Sequence, residues 1–193
     1  MKYKLLFHFF ISLIFYSQFL FAQNKIQNTE KLFGADTISW KENSPLHFSD
    51  FKAKPSGTWA GNTYSGITLA FSQDEKGIHL MVQCVFLCKQ SFLKDTSLSL
   101  LHHEQLHFDL TELYRRKMMQ QLSHKDFSKE KNIGAAIQKI YNEVNEQLNK
   151  EQDNYDKETQ HGIIPDKQKL WEQNVQKQLK QLEGFSGNEI IID

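Results

Sequence analysis

Residues 101–110 read LHHEQLHFDL and place two histidines and a glutamate within five positions. They lie in a longer stretch, residues 95–122, whose apolar side chains recur at helical spacing. His103 and His107 are four positions apart, so on a helix they stack one turn apart, separated by about 40°. Glu104 lies about 100° around from His103. The sequence therefore predicts a helix that presents two imidazoles together, with a carboxylate beside them.

Two imidazoles one helical turn apart have the geometry that two zinc ligands need. A glutamate beside the first histidine can accept a proton from a metal-bound water, which then attacks a carbonyl that the metal polarises. A role in packing alone is disfavoured, because burying these polar groups without partners is costly. We therefore expect His103 and His107 to bind Zn2+ and Glu104 to act as the general base.

A catalytic zinc usually has a third protein ligand and one position open for water. On the same helix, Asp109 and Glu112 lie about 200° and 140° around from His107, too far to reach the metal. We expect a supporting hydrogen bond from Asp109 and a solvent-exposed position for Glu112. The third ligand should therefore come from another element.

Residues 155–162, which read YDKETQHG, are the best source of that ligand. They lie where a second helix is expected to end, and their final glycine permits a tight turn. His161 is the predicted ligand, and Asp156 or Glu158 is the alternative. If Asp156 does not bind the metal, it should orient a ligand histidine, while Tyr155 should pack inward or donate its hydroxyl to a developing oxyanion.

The order of periodic segments predicts an α+β fold, with antiparallel strands first and three helices after them. We expect the hairpin to border the cleft, and an extended substrate to bind beside one of its strand edges. The expected strands are short extended pieces over 37–51 and a hairpin over 64–88 with its turn at 73–77. The first helix is expected over 95–122, the second begins near Ser128, and the third follows Pro165.

The N-terminus predicts a secretory signal peptide over residues 1–22. Two lysines precede a long apolar run, and the small residue Ala22 ends it. Cleavage at this point leaves a polar, flexible leader, residues 23–36, and a single domain, residues 37–193. The mature protein should therefore be secreted or periplasmic, with no stable membrane span after cleavage.

The net charge argues against a nucleic-acid-binding protein, and the spacing of the cysteines argues against a disulfide. Lysines and arginines number 23, as do aspartates and glutamates, and removing the signal peptide takes away two lysines and gives a net charge of about −2. Nucleic acid is therefore not an expected partner. Cys84 and Cys88 would lie ~13 Å apart on a strand, beyond the reach of a disulfide, so we expect both to be buried and unpaired.

The joint pattern of HEQLHFD at 103–109 and YDKETQHG at 155–162, followed by Gln168, resembles a family of bacterial predicted secreted zinc-dependent proteases, catalogued as domain of unknown function 922. Segments 40–51 and 63–67 are similar to the N-terminal strands of the same family. The resemblance covers nearly all of the mature chain, and the two motifs together are far more specific than either one alone.

The resemblance implies a zincin-like metallopeptidase in which His103, His107 and His161 match the recurrent histidines and Glu104 the recurrent glutamate. Phe92 stands where the family pattern favours tryptophan, which affects local packing and not the chemistry. The substrate is expected to be a peptide, a protein or a component of the cell envelope.

Two other functions fit the same residues. The protein could be a peptidoglycan-directed zinc amidase, which uses the same chemistry on a different amide, or a non-catalytic envelope protein that binds ligands and contains zinc. A glutamate beside the first histidine favours chemistry, because a structural zinc site has no use for a base there. The motifs do not separate a peptidase from an amidase.

Overall fold

The computed structural model describes residues 36–192. The predicted signal peptide, nearly all of the predicted leader, and residue 193 lie outside the described residues. Within residues 36–192 no helix has both the length and the apolar character needed to cross a membrane.

The predicted α+β architecture is confirmed, with antiparallel strands followed by three helices and a short strand that returns to the sheet. The strands are β1 (Thr37–Ser39), β2 (Gly61–Asn62), β3 (Ser65–Asp74), β4 (Gly77–Leu87), β5 (Phe92–Leu93) and β6 (Glu189–Ile192), and the helices are α1 (Leu98–His124), α2 (Ile133–Thr159) and α3 (Pro165–Gln181).

Strand β4 is the centre of the main sheet. It pairs with β3 in the predicted hairpin, in a register that runs from Ser65 opposite Phe86 to Asp74 opposite Gly77. Its other edge carries β1 at one end and β6 at the other, both antiparallel. Strand β6 could not be predicted from the sequence, because a strand of four residues gives too little alternation to recognise. A separate two-stranded sheet joins β2 to β5.

Helix α1 is the central element of the protein. Its N-terminus is capped by Ser97, whose hydroxyl accepts a hydrogen bond from the amide of Leu100. The sheet lies against one side of α1, and α2 and α3 cover others. As a result, 17 of its 27 residues are buried. Apolar side chains of α1, α2 and β4 form the main core, including Leu110, Leu113 and Val144.

Glu112 is buried, so the expectation that it faces solvent was wrong. Its two carboxylate oxygens accept hydrogen bonds from Arg115 at 2.7 and 2.8 Å and from Arg116 at 2.8 Å. The two guanidinium groups also donate to backbone carbonyl oxygens of the C-terminal segment, at residues 179 and 185–187. The charged cluster therefore ties the middle of α1 to the chain that leads into β6.

Cys84 and Cys88 are both free and buried, as predicted. Burial raises the pKa of the Cys84 thiol well above its usual value, so this thiol stays protonated.

We expect Glu112→Gln to lower the free energy of unfolding by about 3–5 kcal/mol, because it leaves two buried guanidinium groups without their counter-charge. Urea denaturation measures this. Glu146→Gln is the control, because Glu146 pairs with Lys150 on the surface of α2, and it should leave the unfolding curve unchanged. Equal effects of the two variants would show that the buried cluster does not stabilise the fold.

Candidate metal centre

His103 and His107 lie together on the face of α1 that meets α2. Their Nε2 atoms are 3.3 Å apart, and the two rings are nearly perpendicular, at 87°. Only 2% of His103 is exposed to solvent, and the side chain of His107 is mostly buried. The sequence prediction that α1 presents these two imidazoles side by side is thus met by the geometry.

Asp156 reaches the histidine pair from the last turn of α2. Its Oδ1 atom lies 3.1 Å from Nε2 of His103 and 3.0 Å from Nε2 of His107. Burial raises the pKa of Asp156, but hydrogen bonds from the two histidines outweigh it, and the pKa falls well below the usual range. Burial lowers the pKa of His107, but its hydrogen bond with Asp156 and the charge of Glu104 outweigh that, and the pKa is raised. Asp156 is therefore a carboxylate in the folded protein.

His161 lies at the rim of the same cluster. Three successive residues after α2, Gln160, His161 and Gly162, have φ of 50°, 57° and 80°, a left-handed turn that glycine adopts easily and the other two do not. The turn brings Nδ1 of His161 to 3.4 Å from Oδ1 of Asp156. His103, Asp156 and His161 offer ligand atoms that all lie within 4.8 Å of one another. The side chain of His161 is 45% exposed, and its ring packs against Trp59 with centroids 4.5 Å apart.

Two glutamines bind the remaining nitrogens of the histidine pair. Oε1 of Gln168, from the first turn of α3, lies 3.3 Å from Nδ1 of His103. Oε1 of Gln152, from α2, is hydrogen-bonded to Nδ1 of His107. An amide oxygen can only accept, so each Nδ1 must carry the proton of the shared hydrogen bond. Each Nε2 is then left to face Asp156.

This arrangement fits a bound cation. When both imidazoles are neutral, two nitrogen lone pairs and a carboxylate oxygen converge with no hydrogen between them, which is unfavourable unless a proton or a metal ion lies among them. The three distances of 3.0, 3.1 and 3.3 Å are close to the separation of about 3.4 Å between ligands of a tetrahedral zinc. His103, His107 and Asp156 could therefore hold such an ion with little movement.

Glu104, the residue after His103 on α1, lies against the two-stranded sheet. It is 4% exposed, and its Oε2 atom is buried without a hydrogen-bond partner among the described residues. A buried carboxylate oxygen with no partner is costly, and at a candidate metal centre it is typical of a group that binds a ligand or water. Gly61 of β2 leaves room for the carboxylate, because any Cβ at that position would collide with Oε1. Thr63 donates to the carbonyl oxygen of Glu104 at 3.0 Å and fixes this contact.

The polar groups of the other predicted site residues are hydrogen-bonded to partners other than the imidazole nitrogens. Tyr155 packs inward, and its hydroxyl is hydrogen-bonded to Gln168 at 2.7 Å and to the carbonyl oxygen of His103 at 3.1 Å. It is therefore already engaged and is not free for an oxyanion. Asp109 accepts hydrogen bonds from Trp40 and Gln105, and Glu158 accepts one from Trp171. The structure does not bring Asp109 or Glu158 to the histidine pair.

No sequence pattern indicated a role for Gln152, Gln168 or Gly61, although all three contact site residues. One signal for Gln152 was present, since it lies three and four positions before Tyr155 and Asp156 and so shares their helix face. Gln168 was noted only as part of a family pattern. Gly61 gave no signal, because its role depends on the close approach of two elements far apart in sequence.

The metal-free protein should lose stability as the pH rises through the raised pKa of His107. In the folded protein the pKa of Asp156 is lowered and the pKa of His107 is raised. At pH values between these two pKa values both groups are charged and their attraction stabilises the fold, and deprotonation of His107 at higher pH removes that contribution. Unfolding measured from slightly acidic to alkaline pH tests this. His107→Gln should show a smaller loss over the same range, and an identical pH profile for the two proteins would contradict the assignment.

Residues 90–162 match the family model described as bacterial protein of unknown function (DUF922). No curated protein and no solved structure matches the chain. The matched residues span α1 and α2 and extend through the left-handed turn, so they include His103, Glu104, His107, Asp156 and His161. The family named from the two sequence motifs is thus the family whose model matches residues 90–162 of this chain.

Proposed function

We propose that this protein is a zinc-dependent metallopeptidase of the zincin-like type that acts in the cell envelope or outside the cell. One observation carries the proposal: two imidazole nitrogens and a carboxylate oxygen converge within 3.3 Å, beside a buried glutamate whose Oε2 atom has no partner among the described residues. The first part of this arrangement suits a cation, and the second suits a proton acceptor. A structural zinc site would not need the second part.

His103 and His107 would supply two ligands, and the distances favour Asp156 as the third. The sequence patterns favour His161 for that position, and the structure leaves it close enough to compete. In a set of three protein ligands one position remains open, which catalysis requires. If Asp156 binds the metal, the exposed His161 is left at the open side, where substrate would approach.

Zinc bound at this place would lower the pKa of a bound water and polarise the carbonyl of a substrate. Glu104 would accept the proton of the attacking water at Oε2 and deliver it to the leaving nitrogen. The surrounding side chains keep Oε2 out of bulk solvent, which favours proton transfer between Glu104 and a bound substrate over exchange with bulk water.

The strand next to Glu104 supports an extended substrate. β2 and residue Thr63 contact Glu104 directly, and the predicted hairpin begins just beyond them, where Ser65 is hydrogen-bonded to Thr111. Further along β3, the hydroxyl of Tyr141 already occupies the carbonyl oxygen of Ile67. The backbone of Tyr64 is also occupied, by Ser91 and Leu87. We therefore expect the backbone of a bound peptide to lie along residues 61–63 rather than along the edge of β3.

Glu104→Gln should retain zinc and the fold but lose hydrolysis by about 10²- to 10⁴-fold, because the amide cannot accept the proton. The measurements are zinc content per chain and cleavage of a quenched fluorescent peptide library. Glu143→Gln, on the exposed face of α2, is the control and should behave like the parent. Cleavage by Glu104→Gln at the parental rate would rule out Glu104 as the base. One zinc per chain with no hydrolysis by the parent would favour the non-catalytic alternative.

The third ligand can be identified by comparing Asp156→Ala with His161→Ala. On the geometry, Asp156→Ala should abolish tight zinc binding, and His161→Ala should weaken it by about 10- to 100-fold, as expected of an outer partner. Competition with a fluorescent chelator measures both, and Asp153→Ala on the exposed side of α2 is the control. The reverse order would make His161 the ligand, as the sequence predicts, and Asp156 its orienting partner.

A further inference from the structure

We propose that Gln152 and Gln168 are positioning residues that hold the two imidazoles of the metal centre, each by accepting the Nδ1 proton of one histidine. The inference rests on the metal-binding part of the proposed function and not on peptide hydrolysis. Neither glutamine contacts the converging Nε2 atoms, so each acts through its histidine.

The orientation of the Gln152 side-chain amide is fixed by the hydrogen bonds that its NH2 group donates. Its Nε2 donates to the carbonyl oxygen of His107 at 3.0 Å and lies 3.4 Å from the hydroxyl of Thr111. Both neighbours belong to α1, so the amide is bound to that helix at two places besides the imidazole. With the nitrogen engaged in this way, Oε1 faces Nδ1 of His107. The Gln152 side chain is therefore hydrogen-bonded to both the backbone carbonyl and the Nδ1 atom of His107, and this holds the ring in place.

The Gln168 amide is fixed in a similar way by different partners. Its Nε2 donates to Glu172 at 3.0 Å, one turn further along α3. Its Oε1 accepts from the hydroxyl of Tyr155 and faces Nδ1 of His103. Tyr155 also stacks on the imidazole of His103, with ring centroids 4.7 Å apart and planes at 25°. Position and tilt of this ring are therefore both constrained, and Gly162 closes the remaining side, since a Cβ there would lie 3.0 Å from His103.

The choice of amides has an electrostatic consequence. A carboxylate behind each imidazole would add negative charge to a centre that already contains Glu104 and Asp156, whereas an amide accepts the same proton without adding charge. The two glutamines therefore fix the orientation of the ligands and leave the charge of the centre to the two carboxylates. This division of roles distinguishes Gln152 and Gln168 from packing residues.

The direct test is the Nδ1 proton of each histidine, observed by NMR of selectively labelled protein. In the parent, both Nδ1 protons should give downfield signals that exchange slowly with water, in the zinc-loaded protein and also in the metal-free protein at slightly acidic pH. Gln152→Leu should abolish this protection for His107 alone, and Gln168→Leu for His103 alone. Gln152→Glu keeps an acceptor at Nδ1 and should restore the protected His107 signal. Protection of His107 that survives in Gln152→Leu would overturn the proposal.

Zinc affinity provides the second readout. Gln152→Leu should weaken zinc binding by about 10- to 100-fold in chelator competition, and Gln147→Leu, on the exposed face of the same helix, should not change it. An unaltered affinity in Gln152→Leu, with the fold intact, would overturn the positioning role. If the parent bound no zinc, the ligand proposal would fail while the proton measurement still tested the two hydrogen bonds. If zinc and proton results were as expected but no peptide were cleaved, only the proposed activity would fail.

Discussion

The burial of α1 on almost every side is the constraint on which the rest of the structure depends. Seven of its buried side chains are polar or charged: His103, Glu104, Asp109, Thr111, Glu112, Arg115 and Arg116. A buried polar group that finds no hydrogen-bond partner destabilises the fold, because it has lost its hydration. The surrounding segments supply those partners. Helices α2 and α3 bind the histidines, Trp40 just after β1 binds Asp109, and the C-terminal segment binds the two arginines.

The two halves of α1 differ in how completely their buried charged groups find partners. In the C-terminal half, Glu112 pairs with two arginines, whose remaining donors bind backbone carbonyls, which leaves a closed and structural cluster. In the N-terminal half, Glu104 has an oxygen without a partner among the described residues, and Nε2 of His107 lies 3.0 Å from the carboxylate of Asp156. Incomplete satisfaction of buried polar groups in one half, beside complete satisfaction in the other, is what distinguishes the candidate metal centre from the structural cluster in this protein.

Much of the fold could be predicted from sequence because it depends on local pattern. Alternation predicted the β3–β4 hairpin, helical spacing predicted α1, α2 and α3, and the spacing of His103 and His107 predicted one pair of side chains on one face. The start of α2 differed by a few residues, because the chain first forms a short turn at Phe127–Lys129 and Asn132 then caps the helix. Such boundaries depend on which of several neighbouring polar residues forms the N-cap of the helix.

The features that could not be predicted are those that depend on distant parts of the chain meeting. The burial of Glu112 follows from carbonyl groups some 70 residues away, and the closeness of Asp156 to both histidines follows from the packing of α2 on α1. Helix geometry correctly directed attention to residues 155–162, but it could not rank Asp156 against His161, because that ranking depends on a turn with three left-handed residues. Only one of the three is a glycine, so the turn gave a weak signal in the sequence.

The pairing of β6 with β4 also has a consequence for how the protein is made. Ile192 lies opposite Ile78, about 110 positions earlier in the chain, so this contact is of a kind that forms slowly. During synthesis, β4 leaves the ribosome long before β6 exists, and one edge of the nascent strand stays open at residues 78–81 until β6 arrives. A chain of this topology is therefore most exposed to mispairing while it is being translated, and a chaperone that covers that edge would serve it best at that time.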